Sequence, residues 1–213
     1  MLAFKVAQKP FRQLLGVIWL VIYFAILALG CSTPSPPHPV FVDTLSIRDL
    51  YPEALQIAEE WKKDAYLVDA KTSFWPQQSD EFQGASFSFR SRSTDVVGLV
   101  VRYDPTNDLF TEEWLSVFKE NPRYKVEISD AEWRLDSVAA LEIAQGAGGA
   151  KFLSEQLDED LDLYLRLERH QSGQDARVVW FVMYYAGMPP FADLGVVIDA
   201  ATGEVLEVDD VGQ

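Results

Sequence analysis

Leu161, Leu163, Leu165 and Leu167 alternate with Asp162, Tyr164, Arg166 and Glu168. Successive side chains of an extended backbone point to opposite sides, so this period of two puts four leucines on one face of a half-buried strand. The run at 178–185 is apolar at both parities, with Val178, Trp180, Val182 and Tyr184 on one face and Val179, Phe181, Met183 and Tyr185 on the other. A strand apolar on both faces needs cover on both. One face is expected to carry a helix; the other calls for a second layer, supplied by the rest of the chain or by something bound from outside.

The same order of helix and then strands is legible twice, and internal repetition of this kind points to repeated structural units. In the first unit Pro52 is expected to start a helix in which Leu55, Ala58 and Trp61 keep helical spacing, with Glu59, Glu60, Lys62 and Lys63 off that stripe. Alternation follows at 65–73 and 86–90. A strand at 96–103 then runs into the turn Asp104-Pro105-Thr106-Asn107, and Leu109 and Phe110 begin the return. In the second unit Asp136 or Ser137 is expected to cap a helix over 138–145, which Gly146, Gly148 and Gly149 stop. The strands at 161–167 and 178–185 come next. A hairpin of 194–199 with 204–208 turns across Ala200-Ala201-Thr202-Gly203, where Gly203 tolerates a positive backbone angle. The expected class is α+β, with two tandem helix-plus-antiparallel-sheet units at 45–118 and 119–213.

Trp180-Phe181-Val182, followed by Gly195-Val196-Val197-Ile198-Asp199-Ala200-Ala201-Thr202-Gly203-Glu204-Val205-Leu206, resembles the PepSY domain family. That family is marked by an aromatic-led strand and a hairpin reading apolar-Asp-x-x-Thr-Gly-x-apolar. Asp136-Ser137 with Ala139-Ala140-Leu141-Glu142-Ile143-Ala144 looks like its helix start. The resemblance covers residues 133–209. The first unit reads as a diverged copy, in which Asp104-Pro105-Thr106-Asn107-Asp108 stands at the hairpin turn without a glycine. Two such copies also look like the architecture of the β-lactamase inhibitor proteins, whose two units form one curved sheet. The resemblance implies a non-enzymatic binding module that restrains or modulates an extracytoplasmic peptidase. Its expected partner-binding residues are Trp180, Val182 and Tyr184, with Met188 and Phe191 from the loop Gly187-Met188-Pro189-Pro190-Phe191.

Lys5, Lys9 and Arg12 precede an uncharged apolar run over 14–29 that ends at Gly30 and Cys31. A cationic start, an apolar middle and small residues at the end are the parts of a secretory signal, in the order export requires. Leu27-Ala28-Leu29-Gly30-Cys31 also resembles the lipobox of bacterial lipoproteins, which implies cleavage before a lipidated Cys31. The rival is an uncut transmembrane helix over 14–30, at the short end of what spans a hydrocarbon core. Both give the same topology: anchor at 1–31, Pro-rich extended tether at 32–44, and folded chain outside the cytoplasm. The bilayer is therefore an expected partner, reached through the N-terminal segment.

None of the 33 acidic residues precedes Cys31 whereas three of the 18 basic ones do, leaving 15 basic against 33 acidic and a net −18 beyond it. Such a surface repels nucleic acid and anionic headgroups. With a single cysteine there is no internal disulfide, so a hydrophobic core must hold the domain.

No Gly-x-Ser-x-Gly elbow, His-Glu-x-x-His pair or phosphate-binding loop occurs, so neither a catalytic residue nor a cofactor is expected. His38 lies in the tether and His170 reads as a solvated turn residue at a strand end. Gly146-Ala147-Gly148-Gly149 follows a helix and so reads as its stop rather than an anion cradle. Asp158, Asp160 and Asp162 match the first ligand positions of a calcium loop, but Leu163 and Arg169 stand where it needs Gly and Glu. No metal site is expected.

Overall fold

The computed structural model describes residues 46–75, 81–116, 126–156, 161–172, 175–187 and 193–210. The first helix, α1 (Ile47–Trp61), starts where the Ser46 hydroxyl accepts from the amides of Arg48 and Asp49, two donors with no partner inside the helix. This corrects the expected start at Pro52, which lies inside α1. The Ser46 cap, six residues upstream of Pro52, outweighs the single amide donor that proline lacks.

Four strands follow: β1 (Ala65–Trp75), β2 (Glu81–Ser91), β3 (Thr94–Asp104) and β4 (Leu109–Ser116). The turn between β3 and β4 is held by Asp104, whose carboxylate accepts from the Thr106 amide at 2.9 Å and the Asn107 side chain at 2.7 Å. The chain comes back beside β1, where the Ile128 amide donates to the Leu67 carbonyl at 2.9 Å.

Asp136 then caps α2 (Ser137–Ala144). The glycines end this helix as expected, for Gly148 leaves helical geometry at φ 135. The backbone kinks within Gln145–Gly149, and a separate helix, α3 (Ala150–Glu155), follows. The last four strands are β5 (Leu161–Ser172), β6 (Asp175–Ala186), β7 (Leu194–Asp199) and β8 (Val205–Asp210). The β7–β8 turn has Gly203 at φ 79, as the hairpin pattern requires.

The eight strands form one antiparallel sheet in the order β4-β3-β2-β1-β5-β6-β7-β8. Its centre is the β1–β5 seam, in register from Asp69 with Glu168 to Phe74 with Leu163. The core lies between one face of this sheet and the helices. It takes Phe87 and Phe89 from β2, Leu99 and Val101 from β3, all four leucines of β5, and Val178, Trp180, Val182 and Tyr184 from β6. Burying each large side chain contributes roughly 1.5–3 kcal/mol.

The helix N-termini meet over the seam. The first amide of α1, on Ile47, donates to the Ser137 hydroxyl at 3.2 Å, and Arg48 reaches the Arg134 carbonyl at 3.1 Å while its guanidinium lies over the Trp133 ring. Beneath them Tyr51 packs edge-on to Trp133 at 5.2 Å, and Trp133 meets Trp180 at 6.5 Å. This aromatic column ties the residues before the β4–α2 connection to those after it.

Candidate functional site

All the helices of the described residues pack on one face of the sheet, so the face turned away from them is the surface to consider. Bulges in β1 and β2 decide what its centre displays. In β1 the pairing with β2 steps from Leu67–Phe89 to Asp69–Ser88, leaving Val68 as an extra residue. One inserted residue reverses the phase of a strand, so Leu67, Ala70 and Phe74 face the helices while Asp69, Lys71 and Ser73 face away. In β2 the step between Gly84 and Phe82 leaves Gln83 extra, and Gly84 sits at φ 132. A Cβ there would stand 2.7 Å from the Tyr103 carbonyl oxygen, so only glycine fits.

Cross-strand register sets the side chains of this face in rows. One runs Glu113, Val100, Ser88, Asp69, Glu168, Val179 and Asp199; the next runs Thr111, Arg102, Ser86, Lys71, Arg166, Phe181 and Val197. At the seam the Asp69 side chain is 1% exposed. Arg166 holds it, donating from Nε to Asp69 Oδ2 at 2.6 Å, with Nη2 2.8 Å from Glu168 Oε2. The Lys71 ammonium is 3.6 Å from Asp69 Oδ1, and the Ser88 hydroxyl donates to the same oxygen at 3.4 Å. A carboxylate so enclosed requires such partners, because desolvation of an unpaired charge is prohibitive. Burial, helped by the charge of Asp69, pushes the neighbouring Tyr164 phenol up to about 12. On β3, Arg102 donates to Glu113 from Nε at 3.0 Å and Nη2 at 2.6 Å.

Among the described residues, the clefts on this face include two, near the centre and toward β8. The larger, of about 410 Å³, is lined by Lys71, Ser73, Ser86, Ser88, Arg102 and Tyr164, among others. The smaller, of about 350 Å³, lies between β5, β6 and β8 and includes His170, Arg177, Glu204 and Glu207. His170 is thus not a turn residue. It sits within β5, half-buried, opposite Arg177 and edge-on to the Phe181 ring at 5.3 Å, because β5 runs on to Ser172.

The residues expected to bind a partner fall elsewhere. Trp180, Val182 and Tyr184 are 0%, 0% and 1% exposed, under the helices. Trp180 Nε1 donates to the Leu135 carbonyl at 2.8 Å, and Tyr184 packs against Phe152. These three are corrected from docking surface to core, since the helices cover that side of β6. The other side of the strand has Val179 buried and Phe181, Met183 and Tyr185 half-buried. Met188, Phe191 and Cys31 lie outside the described residues, as do His38, Asp158 and Asp160. Among the described residues no group of three or more metal-ligating side chains gathers, and no helix is long and apolar enough to cross a membrane.

The charged seam and the serine-floored cleft carried only a partial sequence signal. Alternation in Ser86-Phe87-Ser88-Phe89 shows that β2 has a polar face. Nothing local in the chain says that Ser86 will lie between Lys71 and Arg102. In comparisons with known proteins, no family model, no curated protein and no solved structure matches the chain.

Proposed function

We propose that this chain is a membrane-tethered, non-enzymatic binding module that works outside the cytoplasm and holds a neighbouring envelope protein, such as a peptidase it restrains, against the uncovered face of its sheet. The observation that carries the reading is a sheet whose helices, among the described residues, all lie on one face, in a chain whose N-terminus reads as an export signal ending at Cys31 and a Pro-rich tether. A tether keeps the domain near one membrane and raises its effective concentration toward neighbours there. Local capture then needs only modest affinity.

The order of helix and then a four-stranded meander, met at α1–β4 and again, with the further helix α3, at α2–β8, supports reading 45–118 and 119–213 as two PepSY-like units, the first diverged. The Asp199 carboxylate supports the hairpin part of that resemblance. It accepts from the amides of Ala201 and Thr202, each at 2.9 Å, and so fixes the turn that the Asp-x-x-Thr-Gly pattern marks.

A second reading is a structural or assembly lipoprotein of the envelope with no inhibitory activity. It is favoured by the burial of Trp180, Val182 and Tyr184, which removes the aromatic patch that a partner was expected to grip.

The full chain and Cys31→Ala, expressed with a radiolabelled fatty acid, test the anchor. Label in the wild type, lost in the mutant with precursor accumulating, is expected; an unlabelled and uncut wild type overturns lipidation. Photo-crosslinkers at Lys71 and Arg102 test capture. An envelope peptidase crosslinked there and slowed by the protein supports the first reading. Assembly partners crosslinked without inhibition support the second.

A further inference from the structure

The uncovered face sorts its charge by depth around the seam. Asp69 and Glu168 have side chains 1% and 5% exposed, whereas the cations bound to them reach outward, Arg166 at 24% and Lys71 at 35%. Across β2, Arg102 is 55% exposed. Lys71, Arg166 and Arg102 belong to one cross-strand row, interrupted only by Ser86. Like charges opposite one another destabilise a sheet, and here Lys71 pairs directly with Arg166. The buried acids of the adjacent row make this arrangement tenable. What solvent meets there is the heads of these three cations beside one exposed acid, Glu113 at 49%, on a strongly acidic protein.

The larger cleft opens beside this row. Its floor is low over Ser86 because β2 places Gly84, Ser86 and Ser88 there and Gly84 admits no side chain, with Gln83 along one edge against Ser73. Ser86 is in register with Lys71 on one side and Arg102 on the other. With strands about 4.8 Å apart, those two residues stand roughly 10 Å from each other, a gap their long side chains close over one small group. Asp69 takes Lys71 through one oxygen, and Glu113 takes Arg102 through one oxygen. An ammonium has three donors and a guanidinium five, so both cations retain N–H groups for a further acceptor.

We propose that the cleft over Ser86 binds a carboxylate-bearing extended segment, with a carboxylate lodged between Lys71 and Arg102 and the serine hydroxyls of the floor beneath it. This rests on the reading of the uncovered face as the working surface and names the chemistry it accepts: a short acidic stretch of peptide. Long polyanions are excluded by the net charge of −15 on the whole chain. At physiological salt that repulsion is screened beyond about 8 Å, while contacts inside the cleft persist.

The probe is acetyl-triglutamate amide, titrated into the full-length protein in non-ionic detergent and followed by calorimetry, with acetyl-triglutamine amide and inorganic phosphate as controls. Saturable binding of triglutamate is expected, weakened about tenfold in Arg102→Gln and again in Lys71→Gln. Phosphate competing with triglutamate supports the same cleft as a site for anions. Equal binding of triglutamine, binding unchanged in both variants, or no triglutamate binding overturns the proposal. Should Lys71→Gln lose its near-ultraviolet circular dichroism, Arg102→Gln at its exposed position carries the test. The crosslinking described above reads the docking face independently, so a partner captured without triglutamate binding would sink this inference alone.

Discussion

Asp69 holds a carboxylate almost wholly out of solvent at the middle of a sheet, between the guanidinium of Arg166 and the ammonium of Lys71. Removing one member of such a group leaves the others buried without their counter-charge, which is the costly way to break a buried ion pair. Asp69→Ala is expected to lower stability by roughly 2–4 kcal/mol in urea unfolding, less than a complete loss because Arg166 keeps Glu168. An unchanged midpoint would show that the group does not hold the seam. Nothing in the local sequence marks Asp69 as buried. Its identity suggests a solvated residue, and only the bulge at Val68 together with β5 alongside turns it into the centre of a charge cluster.

At the scale of elements, the kink between α2 and α3 lies against a residue far away in sequence. A Cβ on Gly149 would run into the Tyr184 phenol, which itself has no hydrogen-bond partner among the described residues, so the backbone approaches β6 as closely as a glycine permits. Gly149→Ala is expected to destabilise by about 1–3 kcal/mol. In a Tyr184→Leu background the same substitution should cost less, because the ring tip is gone. A double-mutant cycle by chemical unfolding measures this, and strict additivity would refute the contact. The glycine cluster was legible in the sequence as a helix stop. That Gly149 must also make room for Tyr184 is something no local pattern names. α1 shows the converse, since Ser46 before Ile47 is a readable cap and Pro52 drew the boundary too late.

For the molecule as a whole, several tyrosines are held neutral. Burial, then the charges of nearby acids, pushes Tyr51 and Tyr164 up to about 12 from an ordinary 10, and burial raises Tyr184 as well. A pKa raised by folding means that the native state keeps a proton which the unfolded chain has already lost. Stability from these groups is thus fully present below pH 10 and is lost as pH rises toward 12. Each is expected to add up to about 1.4 kcal/mol per pH unit to that slope, and Tyr164→Phe should make it shallower in urea titrations across the window. A slope unaffected by the substitution would assign alkaline unfolding to other groups. By itself the sequence determined the class, the strands and the turns, because alternation, caps and turn residues act over a few neighbours. The four leucines of β5 and the Asp199 turn stand where that pattern put them. Tertiary structure alone decided which face of each strand is covered and which side chains meet across strands. Both depend on register, and a single bulged residue, invisible to local periodicity, exchanges one face of a strand for the other.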